Sequence, residues 1–319
     1  MPNQLVSIII PTYNRVQIVG KAIESVMNQT YQYWECIVVD DGSTDTSMSL
    51  LNALAQRDRR IKIYKRERGP KGAPTCRNIG LEHAKGNYII FLDSDDYLLS
   101  FCLKQRVEQF LKFPDFHFLV FPMGEQKKTE IIKREIPESN NYLIHFLSAN
   151  LLWQTMCPIW KRDFLVRLHG FTEGYPRFND PELMIRALLC QPLYKVFINF
   201  NYDSVHFPSN KETNLFIDNV HKSLIIFVKD ITKQLDLYEQ QNYKHYLSLY
   251  LHLWFKYICV PLKIERLIKS IKLIQVFYKN GILSFLRAIK ITLFLFLYSF
   301  SKIIFKSSYN KLSDKSIYV

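Results

Sequence analysis

A doubly wound, mostly parallel α/β sheet followed by an α-helical extension is the architecture this sequence predicts. Three observations carry that reading. Short apolar runs alternate with helical patterns as far as Phe121, the order that builds a parallel sheet with helices on both faces. Three of those runs end directly on polar clusters, PTYN, DDGSTD and DSDD. Beyond residue 211 there is no glycine before Gly281 and only one proline, Pro261, as a helical segment requires.

The elements follow in order. Residues 5–10 form a first buried strand, stopped at Pro11. Residues 16–28 have helical spacing, with Ile18, Ala22, Ser25 and Val26 towards one face. Residues 34–39 are a second buried strand, closed by DDGSTD. Residues 45–56 read as a helix with Ser43 or Thr44 as its N-cap. A third strand covers 61–64, a helix covers 73–84 and stops at Lys85-Gly86, and a fourth strand covers 87–92. That fourth run is apolar enough for the middle of a parallel sheet. A helix over 100–113 and a fifth strand over 116–121 follow. From Glu125 the pattern loosens, and residues 150–210 mix aromatic runs with turn signals around one more polar cluster, RFNDPELMIRAL. The expected division is an α/β domain over 1–210 and a helical, basic region over 211–319.

The 319 residues are 48% hydrophobic and 22% charged, enough for one large core and an appendage. Six cysteines occur in apolar surroundings without a CxxC pair: Cys36, Cys76, Cys102, Cys157, Cys190 and Cys259. They read as reduced core thiols of a cytosolic protein, not as a zinc site or disulfide framework. The apolar run at 5–10 is too short and lacks the basic leader of a signal peptide.

In a doubly wound sheet the carboxyl ends of the strands converge and a ligand binds there. The three polar clusters therefore form one site. Asp93, Asp95 and Asp96 crowd three acids into four positions, which raises the pKa of at least one of them. Hard divalent cations such as Mg²⁺ or Mn²⁺ take one or two carboxylates and complete their shell with water and phosphate oxygens.

Taken together, VSIIIPTYNR, ECIVVDDGSTD, CRNIGLEHAKGNYIIFLDSDD and NDPELMIRAL resemble the family 2 glycosyltransferases of the GT-A fold, across roughly residues 4–210. The resemblance implies inverting transfer of a hexosyl or N-acetylhexosaminyl group from a nucleotide sugar, by default a UDP-sugar, to an acceptor hydroxyl. It implies that Pro11, Thr12, Tyr13 and Asn14 line the nucleotide pocket, Tyr13 offering a stacking face. Asp41 would accept a hydrogen bond from the base, with Asp40 beside it; one of the two caps a turn. Arg77 would face the diphosphate, where a guanidinium makes forked, charge-assisted bonds. Ser94 lies between the paired acids, of which Asp95 is favoured for metal contact and Asp93 for the ribose, the metal or a metal-bound water. Asp180 holds the catalytic-base position, with Asn179 where the family carries an acid, and Arg186 fits the pattern. Asp180 also reads as a helix N-cap, since it precedes Pro-Glu. Asp96 reads as the cap of the following helix, His206 as a structural histidine, and Trp153 and Trp160 as core.

Residues 250–319 carry twelve Lys and Arg against two acids, so +10 of the net +13 lies there. Ile264, Leu267, Ile268, Ile271 and Ile274 make one helical face, and Lys263, Arg266, Lys269 and Lys272 another. Such a helix is expected to lie in the plane of an anionic membrane surface. Between Lys290 and Lys302 lie eleven residues, about 17 Å of helix against roughly 30 Å of hydrocarbon, too short for a span. Packing of these helices on the rest of the chain or on a second copy is the alternative. The expected location is the cytoplasm, peripheral on the inner face of the membrane. The family's common acceptors, a glycan or a lipid-linked glycan of surface polysaccharide or lipopolysaccharide, agree with that position. Nucleic acid is not expected, because no binding module accompanies the lysines. No GxGxxG follows the first strand, which counts against a dehydrogenase. No glycine-rich, basic N-terminal loop is present for a triphosphate, which counts against a nucleotidyltransferase. A non-catalytic scaffold of the same fold is the rival from another class.

Overall fold

The structure, a computed structural model, describes residues 4–208, 214–257, 264–300 and 315–318. In chain order the elements are β1 (Val6–Thr12), α1 (Val19–Met27), β2 (Trp34–Asp40), α2 (Ser47–Arg57), β3 (Ile61–Lys65), α3 (Ala73–His83), β4 (Tyr88–Phe91), β5 (Tyr97–Leu98), α4 (Cys102–Lys112), β6 (Phe118–Val120), β7 (Gly124–Lys127) and β8 (Glu130–Lys133). There follow α5 (Tyr142–Leu147), β9 (Pro158–Lys161), α6 (Arg162–Arg167), α7 (Asn179–Leu189), β10 (Tyr194–Val196), β11 (Ser204–His206), α8 (Asn214–Leu237), a 3₁₀ turn (Gln241–Leu247), α9 (Ser248–Tyr257), α10 (Ile264–Lys279) and α11 (Phe285–Phe300). Two compact units result. One comprises Met1–Ser139, Trp153–Gly174 and Cys190–Ser209; the other comprises Asn140–Leu152, Tyr175–Leu189 and Asn210–Val319.

The first unit is built on a seven-stranded sheet of order β10-β6-β9-β4-β1-β2-β3. Every residue of β1, β2 and β4 is buried, which is why their sequences read as unbroken apolar runs. These strands and β3 are parallel, and β9 runs antiparallel between β4 and β6. Pro11 does not stop β1 as expected. The β1–β4 ladder has already ended at Ile9–Phe91, so the donor that proline lacks is not needed on that side, and pairing with β2 continues to Thr12–Asp40. Gly80 lets α3 lie directly on this strand: a Cβ there would stand 2.4 Å from Ile9 Cγ2. A smaller sheet, β5-β11-β7-β8, was not legible from the sequence.

The expected N-cap of α2 is also absent. Thr46 flanks the helix without a side-chain cap, because Ser43 Oγ donates to Asp40 and Thr44 is bonded to Asn14. Deeper in the unit, Arg106 of α4 and Asp203 are both fully buried. Arg106 Nε and Nη2 donate to the two Asp203 oxygens at 2.8 and 2.6 Å, and Nη1 donates to Met156 O at 2.8 Å. Removing one partner leaves a buried charge uncompensated, so Asp203→Ala is expected to cost about 3–5 kcal/mol. Urea denaturation would register this as a lowered midpoint; an unchanged midpoint would mean that water reaches the guanidinium.

In the second unit, Phe178, Phe227 and Tyr250 make an aromatic core with ring centroids 4.5–6.0 Å apart. Tyr250 Oη donates to Phe146 O at 2.7 Å, which joins α9 to α5. The expected amphipathic face of α10 is only partly right. Its buried residues are Ser270, Leu273, Ile274 and Phe277, while Ile268 is exposed. Trp254 Nε1 donates to Ser270 Oγ at 2.9 Å, and Lys269 pairs with both Asp218 and Glu265 at 2.5 Å. So α10 is a packing helix, and part of its cationic face is neutralised within the unit.

Cys36, Cys76, Cys102 and Cys157 are buried free thiols as expected, whereas Cys190 is exposed. Cys259, Lys263, Lys302, Lys306 and Lys311 lie outside the described residues. Among the described residues, no helix is long and apolar enough to cross a membrane.

Candidate functional site

Parallel strands deliver the loops that follow them to one edge of the sheet, and here β1, β2 and β4 bring their polar clusters into direct contact. Asp41 N donates to Thr12 O at 2.8 Å. Arg15 Nη2 stands 3.7 Å from Asp95, and Arg77 Nη2, from α3, stands 2.5 Å from Asp93.

Of the first cluster, Pro11 and Thr12 are buried. Among the described residues Thr12 Oγ1 has no hydrogen-bond partner, and a polar ligand at this edge would satisfy it. The Tyr13 ring is exposed, with Lys71 Nζ 3.4 Å from its centroid. Asn14, at φ 50°, ties the first loop to the second: its N–H donates to Ser43 Oγ at 2.8 Å, and its Oδ1 accepts from Thr44 N at 2.8 Å.

The alternatives left open for Asp40 and Asp41 separate clearly. Asp40 accepts from Gly42 N, Ser43 N and Ser43 Oγ at 3.0, 2.9 and 2.5 Å, so it caps its own turn around Gly42 at φ 84°. Asp41 is turned the other way. It is buried, in a close ion pair with Arg66 Nε, and accepts from Gly72 N at 3.3 Å.

Arg77 is buried, bound to Asp93, and its guanidinium carbon lies 4.9 Å from the Phe171 ring centroid. Ser94 is buried between the two acids. Oxygens of Asp93, Asp95 and Asp96 lie within 4.8 Å of one another. Burial first, then the Asp93 charge, raises the Asp95 pKa, with Arg15 opposing. An all-oxygen set whose charges repel one another fits a hard divalent cation, Mg²⁺ or Mn²⁺.

Asp96 does not cap the next helix, which begins at Cys102 with Phe101 before it. Its carboxylate instead accepts from Phe207 N at 3.0 Å and faces His206 Nδ1 at 3.0 Å. Burial pushes the Asp96 carboxyl up to about 6 against the pull of His206. Burial works against a charged His206, but the Asp96 contact and the neighbouring carboxylates outweigh it, and the imidazole pKa rises. His206 is thus paired with Asp96, one of the clustered acids. Trp153 and Trp160 are core, as expected.

Asp180 stands half-buried in the first turn of α7, in the second unit. Phe178, at φ 61°, precedes it within the aromatic core, and Glu182 N donates to Phe178 O at 3.2 Å. Arg186 donates to the buried Glu182 through Nε at 2.5 Å and Nη2 at 3.0 Å.

Sequence reasoning missed Arg15, Arg66 and Lys71. For Arg66 and Lys71 the signal was there: the stretch KRERGPKG at the end of the third strand is as strongly cationic as DDGSTD and DSDD are acidic.

The family model described as "Glycosyl transferase family 2" matches residues 7–167. An Escherichia coli protein, "UDP-Glc:alpha-D-GlcNAc-diphosphoundecaprenol beta-1,3-glucosyltransferase WfgD", is 41% identical over 112 residues, 35% of this chain and 43% of that protein. The matches span 16% to 55% of the length of such curated relatives. Among solved structures, S. aureus TarS 1-349 in complex with UDP-GlcNAc superposes with a TM-score of 0.69 at 20% identity, covering 97% of this chain and 90% of that one. The Pyrobaculum calidifontis mannosyltransferase PcManGT, in complex with GDP-Man and Mn²⁺, gives 0.56 at 14% identity, covering 98% and 84%. The GT-A fold expected from the four motifs is thereby borne out.

Proposed function

The chain belongs to glycosyl transferase family 2, and from that membership we propose that it is an inverting glycosyltransferase. It moves a hexosyl or N-acetylhexosaminyl group from a nucleoside diphosphate sugar, with a UDP-sugar favoured, to an acceptor hydroxyl. The observation that carries this reading is the convergence of Thr12, Asp41, Arg77, Asp93 and Asp95 on one sheet edge. The Tyr13 ring stacks on the base, and Asp41 and the Thr12 hydroxyl take its polar edge. Arg77 lends its charge to the diphosphate from beside Asp93. Asp95, with Asp93, would hold a divalent cation, which when bound would supply Lewis-acid neutralisation of the leaving diphosphate worth several kcal/mol.

Asp180 acts as general base. It takes the proton of the acceptor hydroxyl as that oxygen bonds to the anomeric carbon from the face opposite the donor phosphate. The bond from anomeric carbon to phosphate oxygen breaks, and the nucleoside diphosphate leaves with the electron pair through an oxocarbenium-like state. The name of the E. coli relative specifies a diphosphoundecaprenol acceptor, which supports a lipid-linked glycan as acceptor here too, in surface polysaccharide or lipopolysaccharide assembly. In this reading residues 1–210 bind the donor and carry the chemistry. Residues 211–319 work against the anionic inner face of the membrane.

The test is nucleoside diphosphate release from a panel of UDP-, GDP- and dTDP-sugars with and without Mn²⁺, with donor binding measured in the same samples. Slow hydrolysis of one donor, stopped by chelator, is expected. Binding of one donor without turnover would identify it and make the acceptor obligatory. Neither binding nor turnover across the panel would overturn the proposal in favour of a non-catalytic scaffold.

A further inference from the structure

The 16 residues of α11 include no Asp or Glu. Ile291 and Leu295 are fully buried, whereas Leu286 and Leu293 are 77% and 57% exposed. Phe285, Ile289 and Leu297 are exposed with them. At 3.6 residues per turn these five fall on the arc opposite the buried pair. Arg287 and Lys290, both exposed, border that arc on one side. Isolated exposed apolar residues are ordinary, but a continuous helical row of five is a surface with an occupant.

We propose that the outward face of α11 is the docking surface for an anionic lipid bilayer. This rests on the membrane-facing part of the function proposed above and moves the contact from α10, whose apolar side is packed, to α11. The charge selects the occupant. Phenyl and leucyl side chains enter the acyl boundary, while Arg287 and Lys290 meet lipid phosphates at its edge. A second copy meeting the same face would set cation against cation in a region that carries +10 of the net +13. At 16 residues the helix is about 24 Å long, short of the roughly 30 Å of a bilayer's hydrocarbon, so it lies in the plane of the surface.

Co-sedimentation of the full chain with vesicles tests this directly. Binding to phosphatidylglycerol–phosphatidylethanolamine vesicles is expected, with little binding to pure phosphatidylcholine and weakening as salt rises. Leu286→Ser combined with Leu293→Ser should weaken partition tenfold or more. Arg287→Glu combined with Lys290→Glu should remove the preference for anionic lipid. Ile268→Ser on α10 should leave partition unchanged, and thermal melting should show all variants folded. Wild type that ignores anionic vesicles would overturn the membrane position itself. Wild type that binds while the leucine variant binds equally well would overturn only the assignment to α11. A dimer abolished by the leucine substitutions, without vesicle binding, would overturn the proposal and assign the face to a second copy.

Discussion

Asp95→Ala is expected to abolish metal-dependent turnover, lowering it about 10²–10⁴-fold, the equivalent of the several kcal/mol that a Lewis acid contributes at a leaving diphosphate. The geometry explains why no neighbour replaces it. Asp93 is bound to Arg77, and Asp96 is committed to His206 and to Phe207 N. The contact of Asp95 with Arg15, at 3.7 Å, is looser than these, and burial together with the Asp93 charge already raises its pKa. Of the three it gains most from an added cation. Mn²⁺ titrated calorimetrically into protein with nucleoside diphosphate should show the affinity lost in Asp95→Ala and partly kept in Asp95→Glu. Thermal melting of the variant should be at least as high as wild type, because a buried carboxylate beside the Asp93 charge has been removed. If Asp95→Ala keeps Mn²⁺-stimulated turnover, the cation is held elsewhere.

The legible and illegible parts of this site differ in the range of the interactions that make them. Strands β1, β2 and β4 were visible because both faces of each are buried, so burial wrote an apolar run into the chain itself. The clusters that follow them were visible because a parallel sheet must bring those ends together. The assignment between Asp40 and Asp41 was not, since it depends on where the amides of Gly42 and Ser43 point. Asp96 was misread as a cap because its partner, His206, is 110 residues away, and no local pattern records such a pair. The same holds for Arg106 and Asp203, 97 apart. The sheet β5-β11-β7-β8 escaped notice because its strands have two to four residues, too few to show a period of two. In the helical region the periodicity identified α10 as amphipathic, but the face expected to meet a membrane only overlaps, at Ile274, the face that is packed. Leu273 and Phe277 interleave with the isoleucines, and only packing decides which set turns inward.

Asp180→Asn is expected to lower turnover about 10²–10⁴-fold, the usual contribution of a positioned general base, while donor affinity stays near that of wild type. The substitution is informative because Asp180 is not the expected N-cap of α7: the helix already begins at Asn179, and Asp180 is an acid of its first turn. That turn is independently anchored by Phe178 in the aromatic core with Phe227 and Tyr250. Loss of one acid beside the helix N-terminus costs only about 0.3–1 kcal/mol of stability. A residue that served only the helix would therefore survive the change with its activity intact. A base would not, because an amide cannot accept the proton of the attacking hydroxyl. The distinction is read by comparing kcat with the KM for donor: a fall in kcat alone assigns the proton transfer to Asp180. A fall in melting temperature with unchanged kcat would return it to structure. Unchanged values of both would send the search for the base to another carboxylate.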